Sequence, residues 1–167
     1  MNDLLKLLRI RRSIRKFQNK SIPNGDLEKI IDAARFSPTA RNVQPWEFVL
    51  VIDKNKLTGL AKLAENGSFL AQAAACIAVF CADTKYYLED GSAATCNILL
   101  AATALGIGSC WVAGDKKPYC PQVSSLLKAP LGMKLVSLIA LGYPQDKNAF
   151  NESEKRKLKE LIHWEGF

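Results

Sequence analysis

The sequence predicts an α+β sandwich: a mainly antiparallel sheet of four or five strands with helices around it. Three observations carry that prediction. Apolar runs of strand length recur at Trp46–Ile52, Ala73–Ala82 and Lys134–Leu141. Apolar residues at helical spacing mark other stretches, as in Leu27, Ile30, Ile31 and Ala34. The two kinds of element mix without strict β-α-β spacing, which favours antiparallel pairing over a doubly wound sheet.

The chain has 167 residues, 49% hydrophobic and 23% charged. That length predicts one domain spanning 1–167, able to bury roughly 70% of its unfolded surface without a disulfide or metal staple. Met1-Asn2-Asp3 opens on an acidic residue, and Lys6 and Arg9 interrupt the apolar residues that follow. This is not the pattern of a secretory signal. The run Ile98–Gly114 is rich in Ala and Gly and falls short of a membrane span. A cytoplasmic protein with no membrane partner is expected. The five cysteines (Cys76, Cys81, Cys96, Cys110, Cys120) show no CxxC spacing, and His163 is the only histidine. They read as buried free thiols, with no metal site.

Asn2 or Asp3 caps a first helix through about Arg11, with Leu4, Leu5, Leu7 and Leu8 apolar. In the basic segment Arg11-Arg12-Ser13-Ile14-Arg15, an extended backbone puts Arg11, Ser13 and Arg15 on one face. Two guanidinium forks and a hydroxyl there suit a phosphate; a solvated basic segment is the alternative. Pro23-Asn24-Gly25-Asp26 is a turn, with Asn24 or Asp26 capping the next helix. Pro38 ends that helix, since the residue before a proline is pushed out of the α region.

Ser37 to Trp46 is a loop in which Thr39, Asn42 and Gln44 can bond a ligand or their own backbone. Trp46–Ile52 is apolar enough for a central strand. Lys54–Ala64 is a helix, and Ala73–Ala82 a second buried strand. Asp90-Gly91-Ser92 opens a long helix through Leu105, apolar on most sides and central to the fold or to a subunit interface. Gly106-Ile107-Gly108 ends it. Ser109–Gly114 is a short strand and turn, Pro121–Lys128 a helix, and Lys134–Leu141 the last strong strand. The tail is polar, then amphipathic at Leu158, Leu161, Ile162 and Trp164.

The net charge of +7 suits small anionic ligands or nucleic acid. Few aromatics interleave with the basic clusters and no nucleic-acid-binding signature is present, so a phosphate-bearing ligand is favoured. Gly106-x-Gly108 follows a helix and has Trp111 where a dinucleotide fingerprint needs its third glycine, so a Rossmann site is rejected.

Four stretches stand in one order: Arg11–Arg15, Ser37–Trp46, Gly106–Gly114 and Leu138-Ile139-Ala140-Leu141-Gly142-Tyr143-Pro144. Together they resemble the FMN-dependent nitroreductase family, and the resemblance covers nearly the whole chain. It implies a nitroreductase-like α+β sandwich built as an intertwined homodimer, with two FMN molecules at the interface. The C-terminal tail, about 145–167, would pack on the partner.

Position by position, the resemblance implies that Arg11, Arg12, Ser13 and Arg15 hold the phosphate and ribityl chain, with Arg15 near the pyrimidine edge of the flavin. Pro38, Thr39, Ala40 and Asn42 match a loop from the other subunit. Val112, Ala113 and Gly114 match a segment beside the flavin ring. A basic residue near the C-terminus completes the phosphate site: Arg156, with Lys155 as the alternative. A polar flavin contact expected before the second strand has only Asn66 as a substitute among Gly67, Ser68, Phe69 and Leu70. The implied activity passes electrons from NAD(P)H through FMN to nitroaromatic, quinone or similar acceptors by a ping-pong mechanism, with no protein nucleophile. The alternatives are an FMN store or sensor, or a related FMN reductase or dehalogenase.

Overall fold

The strand-length apolar runs pair into one antiparallel sheet. The computed structural model describes residues 3–167 and orders the four strands β1-β2-β4-β3. They are β1 (Trp46–Val51), β2 (Ala75–Ala82), β3 (Gly108–Ala113) and β4 (Met133–Gly142). The helices are α1 (Asp3–Ile10), α2 (Asn24–Arg35), α3 (Lys54–Leu63), α4 (Tyr87–Ala104) and α5 (Cys120–Leu127). Alternation along β2 divides the core. Ala75, Ile77, Val79 and Cys81 face α2 and α4, whereas Cys76, Ala78 and Phe80 face α3 and α5. Helices thus cover both faces, which is why β2 and β4 read as near-continuous apolar runs.

Four expectations need correction. Trp46–Val51 is an edge strand, not a central one. Its apolar composition reflects helices on both faces: Phe48 packs in one core half and Val49 in the other. Its outer edge is unpaired among the described residues, with Leu50 and Ile52 exposed. The long helix begins at Tyr87, three residues ahead of Asp90, because the Asp90 carboxylate is engaged elsewhere and does not cap. Neither Asn24 nor Asp26 caps α2; the Pro23 carbonyl accepts from the Asp26 and Leu27 amides, and Asp26 pairs with Lys29. Of the five free thiols, Cys96 is exposed and Cys120 half-buried. The cap expected at Asn2 or Asp3 involves side chains outside the described residues.

The basic segment after α1 lies against the rim of the sheet. The Ile14 amide donates to the Ser109 carbonyl (2.9 Å), and the Gln18 amide to that of Tyr143 (2.8 Å). Two glycines make this docking possible. Gly108 and Gly142 are opposite each other across β3 and β4. A Cβ on Gly108 would stand 3.0 Å from Ile14, and one on Gly142 would stand 2.7 Å from the Phe17 ring. Ile14 and Phe17 therefore use the volume that two missing side chains leave.

Gly142→Ala should destabilise the protein by about 1–3 kcal/mol, the range for overpacking a filled core. The check is the urea midpoint, which should fall with an unchanged m-value.

Candidate functional site

The docked segment presents its basic side chains together. Arg11, Ser13 and Arg15 all act on the buried Cys110 thiol of β3. Burial pushes that thiol up from its ordinary value; the Arg15 guanidinium, the Ser13 hydroxyl and the Arg11 guanidinium pull it back. Arg15 also lies over the Phe69 ring, 5.7 Å from its centroid. The stretch Gly67–Leu70 is therefore brought beside the basic cluster, whereas Asn66 is exposed next to it.

Arg12 lies between the two hollows beside this segment. Its guanidinium donates to the carbonyls of Arg9 (3.0 Å) and Arg11 (2.7 Å) and to Asn151 Oδ1 (3.1 Å). One of its terminal nitrogens, Nη2, is buried with no partner. A guanidinium nitrogen left in that state is a standing requirement for an acceptor. Arg12, Ser13 and Arg15 line an open groove of about 490 Å³ closed by Pro144, Gln145 and Asn151. An adjoining hollow of about 370 Å³ is lined by Arg11, Arg12, Glu152 and Lys155. Lys155 is thus brought to the cluster. Arg156 turns away, its guanidinium donating to the Glu160 carbonyl at 3.2 Å.

The loop before β1 is built differently. Its backbone is left-handed at Arg41 (φ 55°), Asn42 (φ 57°) and Gln44 (φ 51°), a region that L-residues adopt at a cost. Thr39 Oγ1 donates to Asp90 Oδ2 (2.8 Å) and accepts from the Gln44 amide (3.1 Å). The Ala40 amide donates to Asp90 Oδ1 (3.1 Å). Pro38 is exposed at the start of this loop, and Asn42 Oδ1 accepts from Gln44 Nε2 (3.2 Å). Sequence reasoning missed Asp90 because an acidic residue before Gly-Ser reads as a helix cap.

Within one chain the loop and the basic segment are far apart. Ser13 bridges Ser109, which pairs with Leu141 and through it with Ala75. The loop enters the sheet at Trp46, which pairs with Cys81. Ala75 to Cys81 is six residues of strand, about 20 Å.

Val112, Ala113 and Gly114 lie at the end of β3 away from Ser109. Val112 and Gly114 are buried and Ala113 is exposed. A Cβ on Gly114 would stand 2.7 Å from the Leu135 carbonyl oxygen, so β4 dictates that glycine. The Ala113 carbonyl accepts from the Tyr119 hydroxyl, and that of Gly114 from the Cys120 thiol at 2.6 Å. The following Asp115 accepts from the Tyr87 hydroxyl at 2.5 Å, tying the segment to α4.

Comparison with known proteins places this architecture. A model described as "Nitroreductase family" matches residues 8–83, and one described as "Putative TM nitroreductase" matches residues 57–166. A protein of Archaeoglobus fulgidus called "Putative NADH dehydrogenase/NAD(P)H nitroreductase" is 39% identical over 99% of both chains. The chain belongs to the nitroreductase family.

Among solved structures, an FMN-dependent nitroreductase of Clostridium difficile superposes with a TM-score of 0.89 at 28% identity, covering 98% of this chain and 99% of that one. A Desulfovibrio desulfuricans structure described as a "putative nitroreductase in complex with fmn" gives 0.83 at 29% identity, covering 100% and 99%. Human iodotyrosine deiodinase 1 is 26% identical over 96% of this chain and 68% of its own length. No helix among the described residues is long and apolar enough to cross a membrane.

The Asp115 hydrogen bond, then burial, then the charges of Asp115, Asp83 and Glu89 push the Tyr87 phenol up to about 12. A carboxylate acceptor favours the protonated phenol and repels the phenolate. Asp115→Asn should return it toward the ordinary tyrosine value of about 10. Tyrosinate absorbance during alkaline titration measures this: one tyrosine should move to lower pH in the variant.

Proposed function

We propose that this protein is an FMN-dependent NAD(P)H oxidoreductase whose 167 residues form one flavin-binding unit. The observation that carries the reading is the basic cluster at the sheet rim, with its buried unpartnered Arg12 nitrogen beside an open groove. That donor set fits a phosphate-bearing cofactor. Arg11, Arg12, Ser13 and Lys155 hold the phosphate and ribityl end. Arg15 favours negative charge at the pyrimidine edge, an electrostatic role like that of an oxyanion hole. When bound, FMN supplies the redox chemistry, taking hydride from NAD(P)H and passing electrons to a nitroaromatic, quinone or similar acceptor in ping-pong fashion.

The working form is an intertwined homodimer. The separation of about 20 Å between the basic segment and the loop at Pro38 supports a loop that serves the partner's flavin through Pro38, Thr39, Ala40 and Asn42. Residues 151–167 are exposed throughout, with Leu158, Leu161, Ile162, Trp164 and Phe167 among them. Leu4, Leu5 and Leu8 of α1 are exposed as well. Apolar surface on that scale supports a tail packed on the partner. Val112–Gly114 completes the pocket beside the flavin ring. A second reading, a dehalogenase on the same fold, draws on the match to iodotyrosine deiodinase; iodide release from iodotyrosine by the reduced protein would favour it.

Purified protein should show a flavin absorption spectrum that NADH or NADPH bleaches under anaerobic conditions; a colourless protein, or flavin that neither nucleotide bleaches, contradicts the reading. Arg11→Ala should weaken FMN binding by about 1.5–3 kcal/mol, the worth of a charge-assisted hydrogen bond. Lys155→Ala should weaken it more than Arg156→Ala, as followed by flavin fluorescence on titration. A flavin-saturated monomer in sedimentation would contradict the shared site.

A further inference from the structure

Asp90 does something in this fold that the fold itself does not require. It is 5% exposed in the first turn of α4. Among the described residues no basic side chain pairs with it, and its acceptors are filled by the loop alone, through the Thr39 hydroxyl and the Ala40 amide. A buried carboxylate without a cation is costly, and an apolar side chain would suit the position better for stability alone. One side is tightly packed: next door, a Cβ on Gly91 would stand 2.7 Å from Val136 and 2.9 Å from the Cys81 sulfur, while the other side opens on a hollow shared with Arg41, Lys85 and Tyr86, neither cation of which pairs with the carboxylate. What the carboxylate does achieve is local. Through Thr39 it also fixes the Gln44 amide, so both sides of the turn are held at one point. Between those points lie the left-handed Arg41 and Asn42. A backbone in that state persists only when its surroundings over-determine it.

We infer that Asp90 is a positioning residue, which holds the 38–44 loop in the shape that meets the flavin before any flavin is present. The inference rests on the flavin reading and adds a residue to it that touches no cofactor. Its signature is a split between binding and stability. Removing the carboxylate should free the loop while relieving the fold of an unpaired buried charge.

The test compares wild type with Asp90→Ala, Asp90→Leu and Asp90→Asn. FMN affinity is followed by fluorescence titration, thermal midpoint is taken in the flavin-free form, and hydrogen exchange is read at the Ala40 and Gln44 amides. Asp90→Ala and Asp90→Leu should bind FMN about tenfold or more weakly, as expected for loss of a charge-assisted bond. Their flavin-free midpoints should hold or rise, and both amides should exchange faster. Asp90→Asn keeps an acceptor for the Ala40 amide and should recover most of the affinity. Affinity within about twofold of wild type in the alanine and leucine variants overturns the inference. So does a fall in midpoint parallel to the fall in affinity, or failure of both variants to fold, since each assigns Asp90 to stability at large. Wild-type protein that holds no FMN fails the flavin reading and this inference together, whereas flavin-loaded variants equal to a flavin-loaded wild type overturn the inference alone.

Discussion

The docking of Ile14 and Phe17 onto paired glycines is the contact on which the candidate site depends. A segment carrying Arg11, Arg12 and Arg15 has no cohesion of its own, since like charges repel and the backbone is extended. It is held because two apolar side chains enter spaces over Gly108 and Gly142 and because backbone bonds to Ser109 and Tyr143 fix its register. Alternation then places the guanidiniums. A one-residue slip would put Ile14 where Ser13 stands and scatter the cluster. The charge pattern and the glycine pair are thus one device written in three distant parts of the sequence.

The sheet's second contribution is distance. Antiparallel order β1-β2-β4-β3 sends the basic segment to one end of the strands and the loop at Pro38 to the other. A rigid sheet cannot bring them together within one chain. Each end also has its own anchor: glycine packing for the segment, a buried carboxylate for the loop. The two halves are thus held by different contacts, though joined in the function proposed for them.

Much of this was legible in the sequence. Three strand-length apolar runs and the short strand read at Ser109–Gly114 located the four strands to within about two residues, a margin normal for element boundaries. The alternation of Arg11, Ser13 and Arg15 predicted a common face, and in the structure all three groups act on the Cys110 thiol. What was not legible arises from long-range packing. Nothing local distinguishes Trp46–Val51 as an edge, because helices cover its faces as they would a central strand's. Asp90 reads as a cap since its partners, Thr39 and Ala40, are some fifty residues earlier. The need for glycine at position 114 comes from β4, which excludes any side chain there. Lys155 and Arg156 differ by one position in a tail without strong periodicity, so only the fold decides that Lys155 faces the cluster.

The open edge of β1 has a further consequence. Its backbone groups on that side are unpaired, and Leu50 and Ile52 are exposed beside them. Pro45 and Glu47 guard only its first residues, and no lysine or bulge blunts the rest. An edge of this kind is a template for strand addition from any chain that meets it. Whatever covers that edge therefore protects solubility.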